Sequence, residues 1–173
     1  MSSEITGHIH RNDIITDAQH SFRKRRSCEK QLILTVEDLA GEIDKGGQTD
    51  VILQDFLKAF DKVPHKHLLL KLDFYGIRGK TKRWTEDFLS NRTQQVVVEG
   101  EHSHTGSVAS GVPQGSVIGP SLFLIYINDL GDGTKPRVRL FADDNILCSV
   151  IRTATDSTQL QDDLGTLELW ERR

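Results

Sequence analysis

Three aspartates carry the most distinctive chemistry in this sequence. Asp143 and Asp144 are adjacent within an apolar segment, and Asp55 ends another apolar segment 88 residues earlier in the chain. Neighbouring carboxylates in a partly dry site repel each other and resist ionisation unless a cation neutralises them. Oxygen ligands alone suit Mg²⁺ or Mn²⁺ far better than zinc. Two such ions, about 4 Å apart, can activate a hydroxyl and stabilise the leaving oxygen of an in-line displacement at phosphorus.

The Asp143–Asp144 pair also has a purely structural interpretation. Aspartate is favoured in β-turns because its side chain hydrogen-bonds to nearby backbone groups. On the pair alone, ordinary turn chemistry is the simpler explanation. The choice between the two interpretations therefore depends on the segments that surround the acids.

Those segments are predicted to be strands. Residues 50–55 (DVILQD) form a short apolar strand, and residues 138–148 (VRLFADDNILC) form a tight hairpin with Asp143 and Asp144 at its turn. A second hairpin is predicted from residues 94–100 and 104–110, with its turn near residues 101–103. The acids are therefore expected at the ends of strands.

Helices are predicted between the strands, from apolar positions at helical spacing and from caps and breakers. Together with the strands they predict an α+β fold, in which an antiparallel sheet is backed by helices. The predicted helices are one after Ser27, with Leu32, Val36, Leu39 and Ile43 on one face and an end at Gly46 and Gly47; one from Pro64 to Gly76; one over 82–89, with Trp84 and Phe88 facing inward; one over 119–128; and a C-terminal one with Leu160, Leu164 and Leu167 on one face.

Composition limits the class of protein. The 173 residues, 36% of them hydrophobic, suit one globular domain or most of one, and the net charge of −3 argues weakly against a general nucleic-acid coat. The longest apolar run, residues 117–130, is too short and too polar to cross a membrane. The first residues lack the apolar core of a secretory signal, and the two cysteines lack metal-ligand spacing. We therefore expect an intracellular protein with reduced thiols.

Four segments occur in the order and approximate spacing of the motifs of reverse transcriptases. The chain resembles the RNA-directed DNA polymerase domain of non-LTR retrotransposons of the jockey and chicken-repeat type, over nearly its whole length. An unrelated two-metal nuclease or phosphatase would fit the acids but not these longer motifs. The segments are QHSFRKRRSCEKQL (19–32), DFLKAFDKVPH (55–65), SGVPQGSVIGPSLFLIYIND (110–129) and LFADD (140–144), and the tail LQDDLGTLELW (160–170) is also similar.

The resemblance implies roles for individual residues. Asp55, Asp143 and Asp144 would be the catalytic acids and would bind two Mg²⁺ (or Mn²⁺) ions, with the backbone carbonyl of Phe56 as a further ligand. Phe60 would lie under the incoming sugar as a steric gate; a core phenylalanine is its alternative. Gln114 and Gly115 would contact the nucleotide, and the predicted nucleic-acid contacts are Arg23, Arg26, Gly111 and Pro113. The implied partners are an RNA template, a DNA primer and deoxynucleoside triphosphates.

The implied architecture is a polymerase palm with part of the fingers and no thumb. The whole chain, 1–173, would be one partial domain, with fingers-like parts at 1–49 and about 66–105 and palm at 50–65 and 106–173. Further finger, thumb and endonuclease segments would belong to a longer polyprotein. We expect an intracellular location, in the nucleus or the cytoplasm or both, and no membrane as a partner. We expect the isolated chain to be weak or inactive; the alternative is a non-catalytic truncated remnant that retains nucleic-acid binding.

The sequence departs from the family pattern at a few positions. Gln54 stands where an apolar residue usually precedes the first catalytic acid, and Asn145 stands where a small or β-branched residue usually follows the acid pair. Ser21 and Leu57 replace a usual glycine and a usual serine or threonine. Gln54 is the most unusual, because it places an amide in an apparently buried strand, where it needs hydrogen-bond partners.

Overall fold

A computed structural model describes residues 2–135 and 137–172. The fold mixes helices with small antiparallel sheets, as the sequence predicted. In chain order the elements are α1 (Ser2–Arg11), α2 (Cys28–Asp44), β1 (Gln48–Gln54), α3 (His65–Phe74), α4 (Gly79–Leu89), β2 (Arg92–Gln94), β3 (Val97–Val98), β4 (Glu101–His102), β5 (Gly106–Val108), α5 (Gly119–Ile127), β6 (Arg137–Phe141), β7 (Asp144–Ile151) and α6 (Ala154–Glu171).

The described chain forms two compact units, each built from two stretches of sequence. The sheet unit comprises residues 16–57 and 127–172, and the helical unit comprises residues 2–15 and 58–126. The three aspartates all belong to the sheet unit. Phe60 and the loop around Gln114 belong to the helical unit.

The sheet unit is organised by three antiparallel strands in the order β1-β7-β6. Side chains alternate between the two faces of such a sheet. One face carries the buried residues Leu140 and Leu147, and α6 packs against β7 with Leu160 and Leu167 buried. From the other face Arg139 reaches α2, where it contacts the backbone carbonyl of Leu34 at 3.3 Å and the carboxylate of Asp38. Helix α2 therefore lies over the face of the sheet that carries Arg139.

Helix α2 forms where it was predicted, with Ser27 as its N-cap, but its apolar stripe does not face the core. The Ser27 hydroxyl accepts a hydrogen bond from the backbone N–H of Lys30 at 3.2 Å. The buried residues of the helix are Gln31 and Thr35. Three of the four residues of the predicted apolar face are exposed, at 54% for Leu32, 62% for Val36 and 67% for Ile43, and Leu39 is half-buried.

Strand β1 also differs from its prediction. It runs from Gln48 to Gln54, so Asp55 follows the strand instead of ending it. The strand lies at the edge of its sheet, and Val51 and Leu53 are exposed. The expectation of a buried strand was wrong, because an apolar run does not by itself tell a central strand from an edge strand.

The helical unit contains α1, which the sequence analysis did not predict. Its buried residues are Ile5 and Ile9, and His8 Nε2 bonds to the backbone carbonyl of Tyr75 at 2.7 Å. Helix α4 begins at Gly79, three residues before its predicted start. Its buried residues are Thr85 and Leu89, whereas the predicted inward pair, Trp84 and Phe88, is only half-buried and stacks ring on ring at 5.3 Å.

The predicted second hairpin is an exposed ribbon of two short strand pairs, β2 with β5 and β3 with β4. Val98 pairs with Glu101, so the turn consists of Glu99 and Gly100, not residues 101–103. Both turn residues have positive φ, 52° and 87°. Two-residue hairpin turns require such angles, which is why glycine is favoured there.

Every helix formed by the described residues lacks the length or the apolar character that a membrane crossing requires.

The ion pairs between α2 and the sheet give a prediction for the pH dependence of stability. A hydrogen bond from Arg137 at 2.6 Å, supported by the charge of Arg139, holds the pKa of Asp38 below its ordinary value of 3.8. A carboxyl group whose pKa is lowered by folding stabilises the fold at pH values above its ordinary pKa. That stabilisation is lost as the pH falls through the lowered pKa. We expect Asp38→Asn to reduce the free energy of unfolding by about 1 kcal/mol at pH 7.

The reduction should shrink as the pH falls below the ordinary pKa of 3.8, and it should disappear only below the lowered pKa, where folded wild-type Asp38 is itself protonated. Urea unfolding at pH 7 and pH 3 measures both values. Glu37→Gln is the control, since Glu37 is exposed on the same helix. A difference that is equally large at both pH values would contradict the charge-based explanation.

Candidate active site

The pairing of β1 with β7 brings the distant acids together. The register places Gln54 opposite Asn145, and this is the last pair of the ladder. Asp55 is the next residue after Gln54, and Asp144 is the residue before Asn145. Antiparallel chains continue in opposite directions, so the backbones of Asp55 and Asp144 lie beside each other at the same end of the sheet.

Asp143 occupies the turn between β6 and β7. Phe141 pairs with Asp144, which leaves Ala142 and Asp143 as a two-residue turn. The predicted turn was therefore displaced by one residue, since Asp144 already belongs to β7. Ala142 has φ of 56°. This left-handed conformation favours glycine, so an alanine there must be held by its surroundings.

Gln19 holds that turn. Its side-chain Oε1 accepts from the backbone N–H of Ala142 at 3.0 Å, and its Nε2 donates to the carbonyl of Ala142 at 3.4 Å. The same Oε1 accepts from the backbone N–H of Ser21 at 2.9 Å. Gln19 is only 1% exposed. The residues around it also bond to β6, through His20 N–H to Leu140 O and Leu140 N–H to Ala18 O, both at 2.9 Å.

Sequence analysis did not select Gln19, although it begins the first family-like segment. The available signal was its place in that segment, in which the arginines that follow are the more obvious candidates for binding. Arg23 donates to the carbonyls of Thr16 at 2.6 Å and Gln19 at 3.2 Å. Arg26 donates to both the backbone carbonyl and the carboxylate of Asp17. Both guanidinium groups thus brace the loop that carries Gln19, and their contact with nucleic acid stays a prediction.

The acids influence one another electrostatically. The pKa of Asp144 is raised above its ordinary value of 3.8, first by partial burial of its carboxyl group and then by the negative charges of Asp143 and Asp55. Such mutual repulsion is what a bound cation relieves. The donor set, carboxylates with backbone carbonyls nearby, is that preferred by Mg²⁺ and Mn²⁺.

The side chains do not converge on one point. In the part of the chain that the structure describes, no three His, Cys, Asp or Glu side chains form a group that could hold a metal ion. The site therefore fits a divalent ion by donor chemistry and backbone placement, and side-chain rotation is needed for a shared ion. Phe56, whose carbonyl was the fourth predicted ligand, packs its ring 6.2 Å from that of Trp170, and Trp170 Nε1 donates to Asp129 at 2.8 Å.

Phe60 lies in the helical unit and is half-buried. Its ring stacks on the buried ring of Phe123 in α5, with centroids 4.0 Å apart and an interplanar angle of 16°. Stacking fixes the orientation of a phenylalanine ring. One face of the Phe60 ring is therefore packed as in a hydrophobic core. The role of Phe60 as a steric gate stays a prediction.

Gly111 approaches the chain's own backbone closely. Its N–H donates to Val63 O at 2.8 Å, Val112 N–H donates to Phe60 O at 2.8 Å, and the Ser110 hydroxyl donates to Asp61 O at 2.8 Å. A Cβ on Gly111 would lie 2.7 Å from Asp61 O. The glycine was predicted to admit nucleic acid, and its described contacts supply a different reason for it.

The rest of this loop is more open. Gln114 and Gly115 are exposed, and a Cβ on Gly115 would meet no atom within 4 Å. Pro113 is half-buried, and its carbonyl accepts from the Ser116 hydroxyl at 2.6 Å. The structure leaves Gln114 and Gly115 accessible to a ligand, whereas Gly111 is buried.

The Gln19 contacts predict a destabilised turn when they are removed. Gln19→Leu would leave the buried N–H groups of Ala142 and Ser21 without this acceptor. We expect the free energy of unfolding to fall by about 2–3 kcal/mol, measured by urea denaturation. Gln161→Leu, on the exposed side of α6, is the control. Equal stability of the Gln19 variant and wild type would mean that the turn does not depend on this side chain.

Two glycines with similar backbone angles separate steric clash from backbone strain. Gly111 and Gly115 have φ of 92° and 76°. We expect Gly115→Ala to lose about 1 kcal/mol of unfolding free energy from strain alone. Gly111→Ala should lose at least about 3 kcal/mol, because its Cβ also meets the Asp61 backbone. Circular dichroism during urea unfolding measures both losses, and similar losses would contradict the close approach.

Comparison with known proteins identifies the family. The family described as "Reverse transcriptase (RNA-dependent DNA polymerase)" matches residues 2–170. Among relatives, the probable RNA-directed DNA polymerase from transposon BS of Drosophila melanogaster is 28% identical over 94% of this chain and 19% of its own length. The RNA-directed DNA polymerase from mobile element jockey of the same fly is 27% identical over 88% of this chain and 18% of its own length.

A third relative, the Retrovirus-related Pol polyprotein from type-1 retrotransposable element R2 of Popillia japonica, is 29% identical over 50% of this chain and 14% of its own length. The chain thus spans about a fifth of the length of the curated relatives that it matches over most of its own length. The resemblance read from the four motifs is confirmed: the chain belongs to the reverse transcriptase family and is a reverse transcriptase domain of the non-LTR retrotransposon type.

Proposed function

We propose that the chain supplies the catalytic acids of an RNA-directed DNA polymerase that is carried on a longer polyprotein. The observation that carries the proposal is the β1–β7 register, which sets Asp55 beside Asp144 at one end of the sheet. The hairpin turn adds Asp143 at the same end. Membership of the reverse transcriptase family supports the polymerase chemistry, and the three acids lie in segments that resemble motifs of that family.

The proposed reaction is nucleotidyl transfer. A primer 3′-hydroxyl attacks the α-phosphate of a deoxynucleoside triphosphate, a new phosphodiester bond forms, and pyrophosphate leaves. Asp55, Asp143, Asp144 and the carbonyl of Phe56 would hold two Mg²⁺ or Mn²⁺ ions. When bound, such ions neutralise charge that develops on the reacting phosphate.

The other predicted residues would bind and orient the substrates. Phe60 would lie under the sugar of the incoming nucleotide and exclude a 2′-hydroxyl. The exposed side chain of Gln114 and the open backbone at Gly115 would contact the nucleotide. Arg23, Arg26 and the loop at Gly111 and Pro113 would contact the template–primer duplex, whose RNA–DNA pairing is recognised mainly through backbone and shape.

The architecture we propose is that of a palm with part of the fingers. The palm would comprise 50–65 and 106–173, and the fingers-like parts would comprise 1–49 and about 66–105 of one partial domain. The small antiparallel sheet with helices on it supports this assignment. The RNA template, the DNA primer and the nucleotides would bind the assembled polyprotein, and the isolated chain would polymerise weakly or not at all.

Binding of Mn²⁺ tests the site directly, without need for polymerisation. We expect wild-type protein to bind Mn²⁺ and Asp143→Ala to bind it about tenfold more weakly or worse, because a carboxylate ligand is lost. Electron paramagnetic resonance of free Mn²⁺ gives both dissociation constants. Asp132→Ala is the control, since Asp132 is an exposed acid of the same unit. If the three proteins bind Mn²⁺ equally, the site assignment is wrong.

A further inference from the structure

Two residues that depart from the usual pattern of the family face each other in the sheet. Gln54 takes the place of an apolar residue before Asp55, and Asn145 takes the place of a small or β-branched residue after Asp144. The β1–β7 register pairs Gln54 directly with Asn145. Opposed residues of antiparallel strands project to the same face, with Cβ atoms about 4.5–5.5 Å apart. The two polar side chains therefore lie side by side on one face of the sheet.

Asn145 is buried and Gln54 is half-buried, and both amides are incompletely bonded. Asn145 is 1% exposed. Among the residues that the structure describes, Gln54 Oε1 and both side-chain polar atoms of Asn145 are buried without a hydrogen-bond partner. Buried polar groups without partners are costly, and native proteins keep few of them. Two such groups on facing residues call for a shared explanation.

The unbonded atoms are chemically complementary. Gln54 Oε1 is an acceptor, and Asn145 Nδ2 is a donor. The residue opposite Asn145 on its other side is Leu140, which has no polar side-chain atom to offer. The terminal torsions of the two amides have broad energy wells, so the donor and the acceptor can change direction at little cost.

We propose that Asn145 donates a hydrogen bond from Nδ2 to Gln54 Oε1, and that this cross-strand amide pair positions Asp55 and Asp144. The pair lies one residue from each acid, at the last rung of the ladder. A hydrogen bond there opposes fraying of the strand ends. It also opposes a slip of β1 by one residue, which would move Gln54 to the other face of the sheet, away from Asn145. The pairing stands alone, whereas the positioning of metal ligands rests on the proposed function.

A double-mutant cycle tests the pairing by thermal unfolding of the whole chain. The variants are Gln54→Leu, Asn145→Val and the two changes together, which restore apolar residues at both positions. We expect each single variant to lower Tm by about 5 °C, because it strands the remaining buried amide. The double variant should recover to within about 2 °C of wild type, because no amide is left.

Independent amides would behave differently. Each single change would then remove one unbonded group and raise Tm, and the double variant would show the sum. Additive shifts of either sign overturn the pairing. Coupled shifts, with the double variant more stable than either single variant, support it.

A second measurement separates positioning from stability. We expect the double variant to bind Mn²⁺ at least about threefold more weakly than wild type, despite its recovered Tm, because its strand ends are no longer tied. The swapped pair, Gln54→Asn with Asn145→Gln, keeps a donor and an acceptor and should retain wild-type affinity. Wild-type affinity in the double variant would overturn the positioning role and leave only a structural pair.

The two proposals can fail separately. If wild type and Asp143→Ala bind Mn²⁺ equally, the acids are not the metal site and the proposed function fails at that point. The unfolding cycle still decides whether the amides pair, since it involves no metal. If the acids bind Mn²⁺ and the cycle is additive, the amide pair fails while the proposed function stands.

Discussion

The antiparallel register of β1 and β7 is the constraint on which the rest of the sheet unit depends. Asp55 and Asp144 are far apart in the sequence, and only this pairing makes them neighbours. Because side chains alternate along a strand, a shift of one residue would reverse the face of every side chain in β1. The register is therefore the link between the order of the motifs and the chemistry that they could perform. The β6–β7 hairpin then adds Asp143 through a turn too short to place it elsewhere.

A second constraint acts on that turn. The two-residue turn begins with Ala142 in the left-handed region, a conformation that needs support from the surroundings. Gln19, more than a hundred residues away in the chain, supplies that support by hydrogen bonds to the Ala142 backbone. Arg23 and Arg26 brace the loop around Gln19 through backbone carbonyls and Asp17. The first family-like segment thus contributes to the site by hydrogen bonds to the backbone of the turn. This contribution does not depend on whether its arginines also meet nucleic acid.

The sequence was sufficient to predict the family, the helices α2 to α6 and the hairpin that carries the acid pair. Long motifs such as SGVPQGSVIGP carry the family signal, and periodicity with caps carries the helix signal, as Ser27 shows at the start of α2. The errors have physical causes. An apolar stripe reveals that Leu32, Val36 and Ile43 share a face of α2, but not that Gln31 and Thr35 are the residues that are buried. The turn at Glu99 and Gly100 was misplaced because short strands in an exposed ribbon lack a hydrophobic pattern. Gln19 was missed because hydrogen bonding across more than a hundred residues leaves no local periodicity.

The exposed stripe of α2 has a consequence for the handling of the protein. Leu32, Val36 and Ile43 present aliphatic surface to water, and the exposed Leu53 of edge strand β1 adds to it within the same unit. A net charge of only −3 supplies little electrostatic repulsion between copies. Hydrophobic contact between these exposed surfaces therefore favours aggregation of the isolated chain at high protein concentration.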